Sequence, residues 1–150
     1  MPEDIFPQAL KFVLTWEGGF VDDPKDRGGA TNHGITQSVY DAWRKKNRLP
    51  FQSVKLISPG EVSIIYRDEY WEPFNQMHLD PKLQTAAFNA AVNMGIGEAK
   101  KLLARSGNSL DRFFDLQEYT YREYSLSPGQ SKFLQGWLNR TEALKKMLGE

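Results

Sequence analysis

The chain has 150 residues, of which 40% are hydrophobic and 25% are charged, as in an ordinary soluble globular domain. Its formal net charge is +0 at pH 7, so no overall electrostatic field attracts it to nucleic acid or to an anionic membrane. The sequence contains no cysteine, which excludes disulfides, thiol catalysis and cysteine-based zinc sites. The N-terminus has neither a basic start nor a long apolar run. We therefore expect no cleavable signal peptide and no stable membrane insertion.

The first predicted element is a helix that ends close to Glu17. Apolar residues recur at helical spacing over residues 5–16, and the Gly18–Gly19 pair then stops the helix. The loop over residues 20–35 is rich in glycine and aspartate, which supply turns. It can therefore hold a small hairpin.

Capping signals predict most of the later helices. Thr36 can cap a helix over residues 37–47. Ser58-Pro59-Gly60-Glu61 combines a cap, a proline at the first helical position and a capping-box glutamate, and predicts a helix to about Trp71. Asp80-Pro81 repeats the cap and the proline and predicts a helix to about Asn93, whose many alanines indicate a closely packed, central position. Further helices are predicted over residues 98–105, 110–124 and 130–148.

These elements predict a single, mainly α domain over residues 1–150. We expect about six to eight helices, with a small β element or irregular loop after the first helix. The chain shows no flexible linker, repeat or low-complexity tract that would divide it.

Glu17 is the carboxylate best suited to acid catalysis. Its sequence neighbours Trp16 and Phe20 are aromatic, and apolar surroundings keep a carboxylic acid protonated near neutral pH. A glutamate at a helix C-terminus also faces the negative end of the helix dipole. Such unfavourable placement favours a functional role over a surface role.

Three aspartates follow in the loop. Asp22 and Asp23 precede a proline and suit turns made by side-chain-to-backbone hydrogen bonds. Asp26 can either make such a turn or serve as a second carboxylate. A calcium loop is disfavoured because the terminal bidentate glutamate of an EF-hand is missing. His33 and His78 are far apart in sequence and form no zinc-binding motif, so we expect neither a metal nor a cofactor.

The loop carries a dense set of motif residues: Glu17-Gly18-Gly19-Phe20, Asp22, Asp23-Pro24, Asp26, Gly28-Gly29, Thr31-Asn32 and Gly34-Ile35-Thr36. This set resembles the signature of glycoside hydrolase family 108, the peptidoglycan-cleaving N-acetylmuramidases found in phage lysis cassettes and bacterial genomes. Tyr70-Trp71, residues 89–95, and Gly136-Trp137 with Arg140 are similar to later landmarks of that family. The resemblance therefore covers most of the chain.

The resemblance implies a lysozyme-like fold and a muramidase that cleaves the β-1,4 bond between N-acetylmuramic acid and N-acetylglucosamine. Glu17 would be its general acid. Asp26 and Thr31 occupy the positions that an aspartate and a threonine take after the catalytic glutamate in phage-type lysozymes. Thr31 or Asn32 would then hold a water or hydrogen-bond the substrate.

Other residues are candidates for substrate binding. Tyr66, Tyr70 and Trp71 share one predicted helix, and sugars pack on such rings, although most aromatic side chains belong to the core. We expect Tyr66 or Trp71 to reach the substrate. Asn89 and Asn93 are four residues apart and share a helix face. They can bind N-acetyl groups or make hydrogen bonds within the protein.

The resemblance also implies partners and a location. The substrate would be peptidoglycan, with residues 1–95 as the catalytic part and residues 96–150 as a helical, peptidoglycan-binding-like part. A protein made in the cytoplasm without a signal peptide would need a holin-type export partner to reach the cell wall. We expect a monomer that acts in the periplasm or outside the cell. The alternative is a non-hydrolytic cell-wall-binding or morphogenesis protein on the same fold.

Overall fold

The computed structural model describes residues 4–22 and 29–150 and has the predicted mainly α, lysozyme-like fold. Its α-helices in the described residues are α1 Phe6–Trp16, α2 Gln37–Lys46, α3 Pro59–Tyr66, α4 Glu72–Asn75, α5 Pro81–Met94, α6 Ile96–Ser106, α7 Leu110–Ser125 and α8 Leu134–Met147. Strands β1 Thr31–Asn32 and β2 Ile35–Thr36 form an antiparallel pair. Short 3-10 helices cover Val54–Leu56 and Ser131–Phe133. Within the described ranges, no helix is long and apolar enough to span a bilayer.

The chain forms two compact units. The first unit contains Phe6–Glu72, and the second contains Pro73–Glu150 together with Asp4 and Ile5. The predicted division into a catalytic part and a C-terminal part near residue 96 concerns function, and it stays a prediction.

The predicted caps are present in the first unit. Thr36 Oγ1 accepts a hydrogen bond from Val39 N at 3.1 Å and starts α2 directly after β2. Ser58 Oγ accepts from Glu61 N at 3.1 Å, while Glu61 Oε1 accepts from Ser58 N at 3.1 Å, which completes the capping box of α3. Each cap satisfies backbone N–H groups that the first helical turn leaves without partners.

A π-helical turn, Arg67–Trp71, follows α3 where the sequence predicted an uninterrupted helix. Glu72 N donates to Arg67 O, which is five residues earlier. In a regular α-helix, residues five apart point roughly 140° away from each other. The wider turn brings Tyr66 and Trp71 closer to one face, and both are buried. The spacing of apolar residues predicts a regular α-helix and does not indicate the extra residue in the π-helical turn.

A buried polar network connects α2 with the start of α3. Arg44 Nη1 donates to Glu61 Oε2 at 2.9 Å and to Tyr40 Oη at 3.0 Å. Tyr40 Oη in turn donates to Glu61 Oε1 at 2.9 Å. Burial acts to raise the pKa of Glu61, but the hydrogen bonds from Ser58 and Tyr40 and the Arg44 charge lower the pKa below its ordinary value. The carboxylate is therefore stabilised in its charged form.

The second unit is built around α5. Asp80 Oδ1 accepts from Lys82 N at 3.0 Å and starts the helix before Pro81, as predicted. The whole stretch from Leu83 to Ala91 is buried, including the alanines of this helix. Small side chains let neighbouring helices approach closely, so the central position predicted for α5 is confirmed.

Candidate functional site

Glu17 is the first residue after α1, and its position follows from the packing of that helix. Phe6, Ala9 and Val13 form the buried face of α1. Glu17 N still donates to Val13 O at 3.1 Å, so the backbone of the glutamate continues the last helical turn. Its side chain is half-buried. The rigid helix therefore fixes the direction from which the carboxylate leaves the backbone.

The aromatic neighbours of Glu17 in sequence lie largely at the surface. Trp16 and Phe20 are each 40% exposed. Lys55 Nζ lies 5.6 Å from the centroid of the Phe20 ring, within cation–π range. Atoms of the β1–β2 turn and of the end of α3 lie beside the Glu17 carboxylate.

The β1–β2 hairpin has a two-residue turn, His33-Gly34. Thr31 pairs with Thr36, and Asn32 pairs with Ile35. His33 has φ 52° and Gly34 has φ 79°. Positive φ at both central residues is typical of the type I′ turn, whose twist matches that of the flanking strands. The predicted β element is thus a short, tightly turned hairpin.

Gly34 lies directly against the Glu17 carboxylate. A Cβ atom at position 34 would lie 2.9 Å from Glu17 Oε2 and 3.0 Å from Glu17 Cδ. It would also lie 2.6 Å from Tyr66 Oη. The carboxylate and the tyrosine hydroxyl therefore converge on the space that any other side chain at this position would occupy.

Tyr66, the last residue of α3, connects the helix to the hairpin turn. Its hydroxyl donates to His33 O at 2.5 Å, and the residue is 1% exposed. The Tyr70 ring lies 5.6 Å from the Tyr66 ring, at an interplanar angle of 41°. Burial raises the pKa of the Tyr70 hydroxyl, and the negative charges of Glu69 and Glu17 raise it further. Burial and the neighbouring negative charges therefore favour the neutral form of Tyr70.

Thr31 and Asn32 lie on β1, next to the turn. Thr31 exchanges backbone hydrogen bonds with Val21 at 2.7 and 2.8 Å, which ties the loop after Glu17 to the hairpin. Asn32 is 7% exposed, and its Nδ2 donates to Val54 O at 3.1 Å and to Lys55 O at 3.3 Å. Both amide protons thus bind the chain itself. The predicted substrate contacts of Thr31 and Asn32 stay predictions.

The other predicted site residues lie in different surroundings. Trp71 is 2% exposed, and its ring lies 5.3 Å from the Phe6 ring, which favours a packing role. Asn89 and Asn93 belong to the second unit. Asn89 Oδ1 accepts from Arg140 Nε at 2.9 Å, and Asn93 Nδ2 donates to Tyr121 Oη at 2.5 Å. Asp26 lies outside the described residues. Roles in substrate binding or catalysis for these residues stay predictions.

Sequence reasoning did not assign a role to Gly34 or Tyr70. Gly34 stood within the family-like motif, and a His-Gly pair between two short strands is a recognisable hairpin turn. Tyr70 lies within the π-helical turn, for which the sequence offered no signal. In the part of the chain that the structure describes, no group of three His, Asp or Glu side chains could hold a metal ion.

The arrangement is suited to proton transfer. A half-buried carboxyl group sits at the end of a rigid helix, and a hairpin turn and two tyrosines lie beside it. A positioned carboxyl group in such surroundings can deliver a proton to an oxygen atom of a bound ligand.

Comparisons with known proteins agree with this chemistry. The sequence model of a family described as Glycosyl hydrolase 108 matches residues 10–95, which include Glu17, the hairpin and both tyrosines. Among solved structures, SagA from Brucella abortus is similar over 95% of this chain and 92% of its own, with a TM-score of 0.77 and 27% sequence identity. No curated protein matches the chain significantly.

Proposed function

This chain belongs to the glycosyl hydrolase 108 family, and we propose that it is an N-acetylmuramidase acting on peptidoglycan. The bond cleaved would be the β-1,4 linkage between N-acetylmuramic acid and N-acetylglucosamine. The main support is the Glu17 carboxylate, which is held at the end of α1 against the Gly34 turn. A glycoside hydrolase needs such a positioned acid to protonate the leaving oxygen.

In the proposed mechanism, Glu17 is the general acid. It donates its proton to the glycosidic oxygen as the bond to the anomeric carbon breaks. The oxocarbenium-like centre that develops requires a negative charge or a positioned water on its other side. Asp26 is proposed for this role, with Thr31 or Asn32 holding the water. The stereochemical outcome then follows from the separation between the two carboxylates.

Further parts of the proposal rest on the family resemblance. The protein would act in lysis of the cell wall, as an endolysin or prophage lysis protein, and a holin-type partner would admit it to the wall. It would work as a monomer. Residues 96–150 would add affinity for peptidoglycan. Asn32, Asn89, Asn93 and either Tyr66 or Trp71 would contact the glycan strand.

Zymography on purified peptidoglycan tests whether the chain hydrolyses the wall. We expect clearing, and mass spectrometry of the digest should show new reducing ends on muramic acid. Binding to the wall without clearing would favour the non-hydrolytic alternative. Products with only freed amino groups or lactyl-peptides would reject a glycosidase. We expect a chelator to leave the activity unchanged, and zinc-dependent recovery after chelation would favour a peptidase or amidase.

A further inference from the structure

We propose that Gly34 and Tyr66 are positioning residues that set the place of the Glu17 carboxylate, an inference that rests on the proposed role of Glu17 as the acid. Gly34 would do so by lacking a side chain, and Tyr66 by holding the hairpin turn through its hydroxyl. Neither residue needs to touch the reacting bond. Both would act through the position of the proton donor.

The structure leaves no room for a side chain at position 34. Tyr66 Oη and Glu17 Oε2 lie 2.6 and 2.9 Å from the place where a Cβ would stand, closer than real Cβ atoms approach their neighbours. An alanine would displace the carboxylate, the tyrosine hydroxyl or the turn itself. The carboxylate is the far end of a flexible side chain, so it would move first. Such a movement leaves the fold in place and changes the site.

The backbone conformation of Gly34 is a second constraint on this position. Its effect can be separated from that of the missing room for a Cβ atom. Gly34 has a φ of 79°, which favours glycine at any position in a protein. Gly107, the residue that ends α6, has φ 60° but no atom within 4 Å of its Cβ position. Substitution of Gly107 by alanine therefore introduces backbone strain alone, whereas substitution of Gly34 introduces strain and displacement of the carboxylate.

Tyr66 holds the hairpin turn through a hydrogen bond. The tyrosine comes from α3, and its hydroxyl donates to the carbonyl of His33, the residue just before Gly34. This bond joins two segments that are distant in sequence. Without this hydrogen bond, the turn keeps the pairing of β1 with β2 but is no longer hydrogen-bonded to Tyr66 of α3. The turn against which the Glu17 carboxylate lies would then be held less firmly in position.

Four variants of the full chain test the proposal: Gly34→Ala, Tyr66→Phe, Gly107→Ala and Tyr40→Phe. Tyr40→Phe is the matched control for Tyr66, because Tyr40 is also a buried tyrosine with a hydrogen-bonded hydroxyl in the same unit. For each variant, we would measure kcat, KM and the pH–rate profile on peptidoglycan. The ¹³Cδ resonance of Glu17 and the melting temperature would be measured on the same preparations.

We expect Gly34→Ala to lower kcat about 10²-fold, because displacement of a catalytic group by about 1 Å has an effect of that order. Tyr66→Phe should lower kcat about tenfold, as expected for one lost hydrogen bond. In both, KM should stay within about twofold of wild type, and the basic limb of the pH–rate profile should shift. The Glu17 resonance should move as well. Both controls should lower the melting temperature and leave these readouts unchanged.

The outcomes distinguish this proposal from the proposed function. An unchanged Glu17 resonance in Gly34→Ala and Tyr66→Phe would overturn the positioning role, whatever the activity. A moved resonance in a wild-type protein that does not hydrolyse peptidoglycan would retain the positioning role and reject the muramidase. If Gly34→Ala does not fold, Tyr66→Phe alone decides, since it removes one oxygen atom and keeps the ring in the core.

Discussion

The centre of the second unit and the loops of the first unit are held in place by different kinds of contact. In the second unit, the buried face of α5 is made largely of alanine and other apolar side chains. In the first unit, polar side chains hold irregular segments in place. Gln37 Nε2 donates to Gln52 O at 2.8 Å, and Asn32 Nδ2 donates to Val54 O at 3.1 Å. Both bonds hold the segment before α3, which contains only a short 3-10 helix.

The difference suggests why the proposed site lies in the first unit. Apolar packing stabilises a fold through area and volume and tolerates small shifts. Hydrogen bonds to specific backbone atoms require particular positions, and buried polar networks favour one arrangement over others. A proton donor must be placed to within a fraction of an ångström. We therefore expect substitutions beside Glu17 to affect activity more than stability, and substitutions in the buried centre of the second unit to do the reverse.

Substitution of Glu17 by glutamine should have the largest effect. General acid catalysis contributes about 10²–10⁴-fold, so turnover should fall by at least about 10²-fold. The melting temperature should hold or rise, because a neutral amide removes a negative charge from the C-terminal end of α1. Clearing of a cell-wall suspension and thermal unfolding would be measured on one preparation. Full activity in a folded Glu17→Gln variant would falsify the mechanism.

Phe88→Ala should have the largest effect on stability. Phe88 is fully buried in α5, and truncation of a buried phenylalanine costs about 3–5 kcal/mol of unfolding free energy. Urea denaturation measures this loss. Leu126→Ala is the control, because Leu126 is highly exposed and its substitution should change stability by less than about 0.5 kcal/mol. Equal losses in both variants would contradict the central place of α5.

Asp26→Asn tests the second carboxylate. If Asp26 supports the developing positive charge or positions water, turnover should fall about 10²-fold, the scale for loss of one electrostatic stabiliser. If it only makes a turn, the variant should lose thermal stability and keep its activity per folded molecule. Asp22→Asn is the matched control, since Asp22 lies in the same loop. Equal activity of the two variants would remove Asp26 from the mechanism.

Glu61→Gln should destabilise the first unit by about 1.5–3 kcal/mol at neutral pH, the range for a hydrogen bond to a charged group. Glutamine can still complete the capping box, so the substitution removes mainly the charge that faces Arg44. Urea denaturation would measure the difference from wild type. Arg44→Met removes the other partner of the pair and should cause a comparable loss.

The same pair predicts a dependence on pH. Because the pKa of Glu61 is lowered in the folded state, its contribution to stability is present above the unfolded-state pKa of about 4.3. It is lost as the pH falls through the lower, folded-state pKa. The difference in stability between wild type and Glu61→Gln should therefore shrink in acid. A difference that stays constant from neutral to acidic pH would show that the charge contributes nothing.

Removal of helix caps should have the smallest effects and allows a direct comparison between the units. Thr36→Ala and Asp80→Ala each remove one capping hydrogen bond, at a cost of about 1 kcal/mol. Thermal unfolding should show similar losses. Only Thr36→Ala should also lower turnover, because Thr36 lies in β2, close to the Gly34 turn. Reduced turnover in Asp80→Ala instead would contradict the assignment of the site to the first unit.

The sequence by itself determined where α2, α3 and α5 begin. The caps at Thr36, Ser58 and Asp80 act on backbone groups within one turn, so local residues decide them. The alanine-rich stretch of α5 indicated its burial for the same reason. The motif that begins at Glu17 indicated the family, and the end of α1 followed from the glycines behind it.

The tertiary structure alone decided what stands beside Glu17. Tyr66 reaches the hairpin from α3, and Gly34 meets the carboxylate from a turn across the loop. The π-helical turn that contains Tyr70 interrupts a pattern that predicts a regular helix. Contacts between residues distant in the chain have no period and no local cap. They depend on how separate elements pack, and the packing in turn depends on all of the buried side chains together.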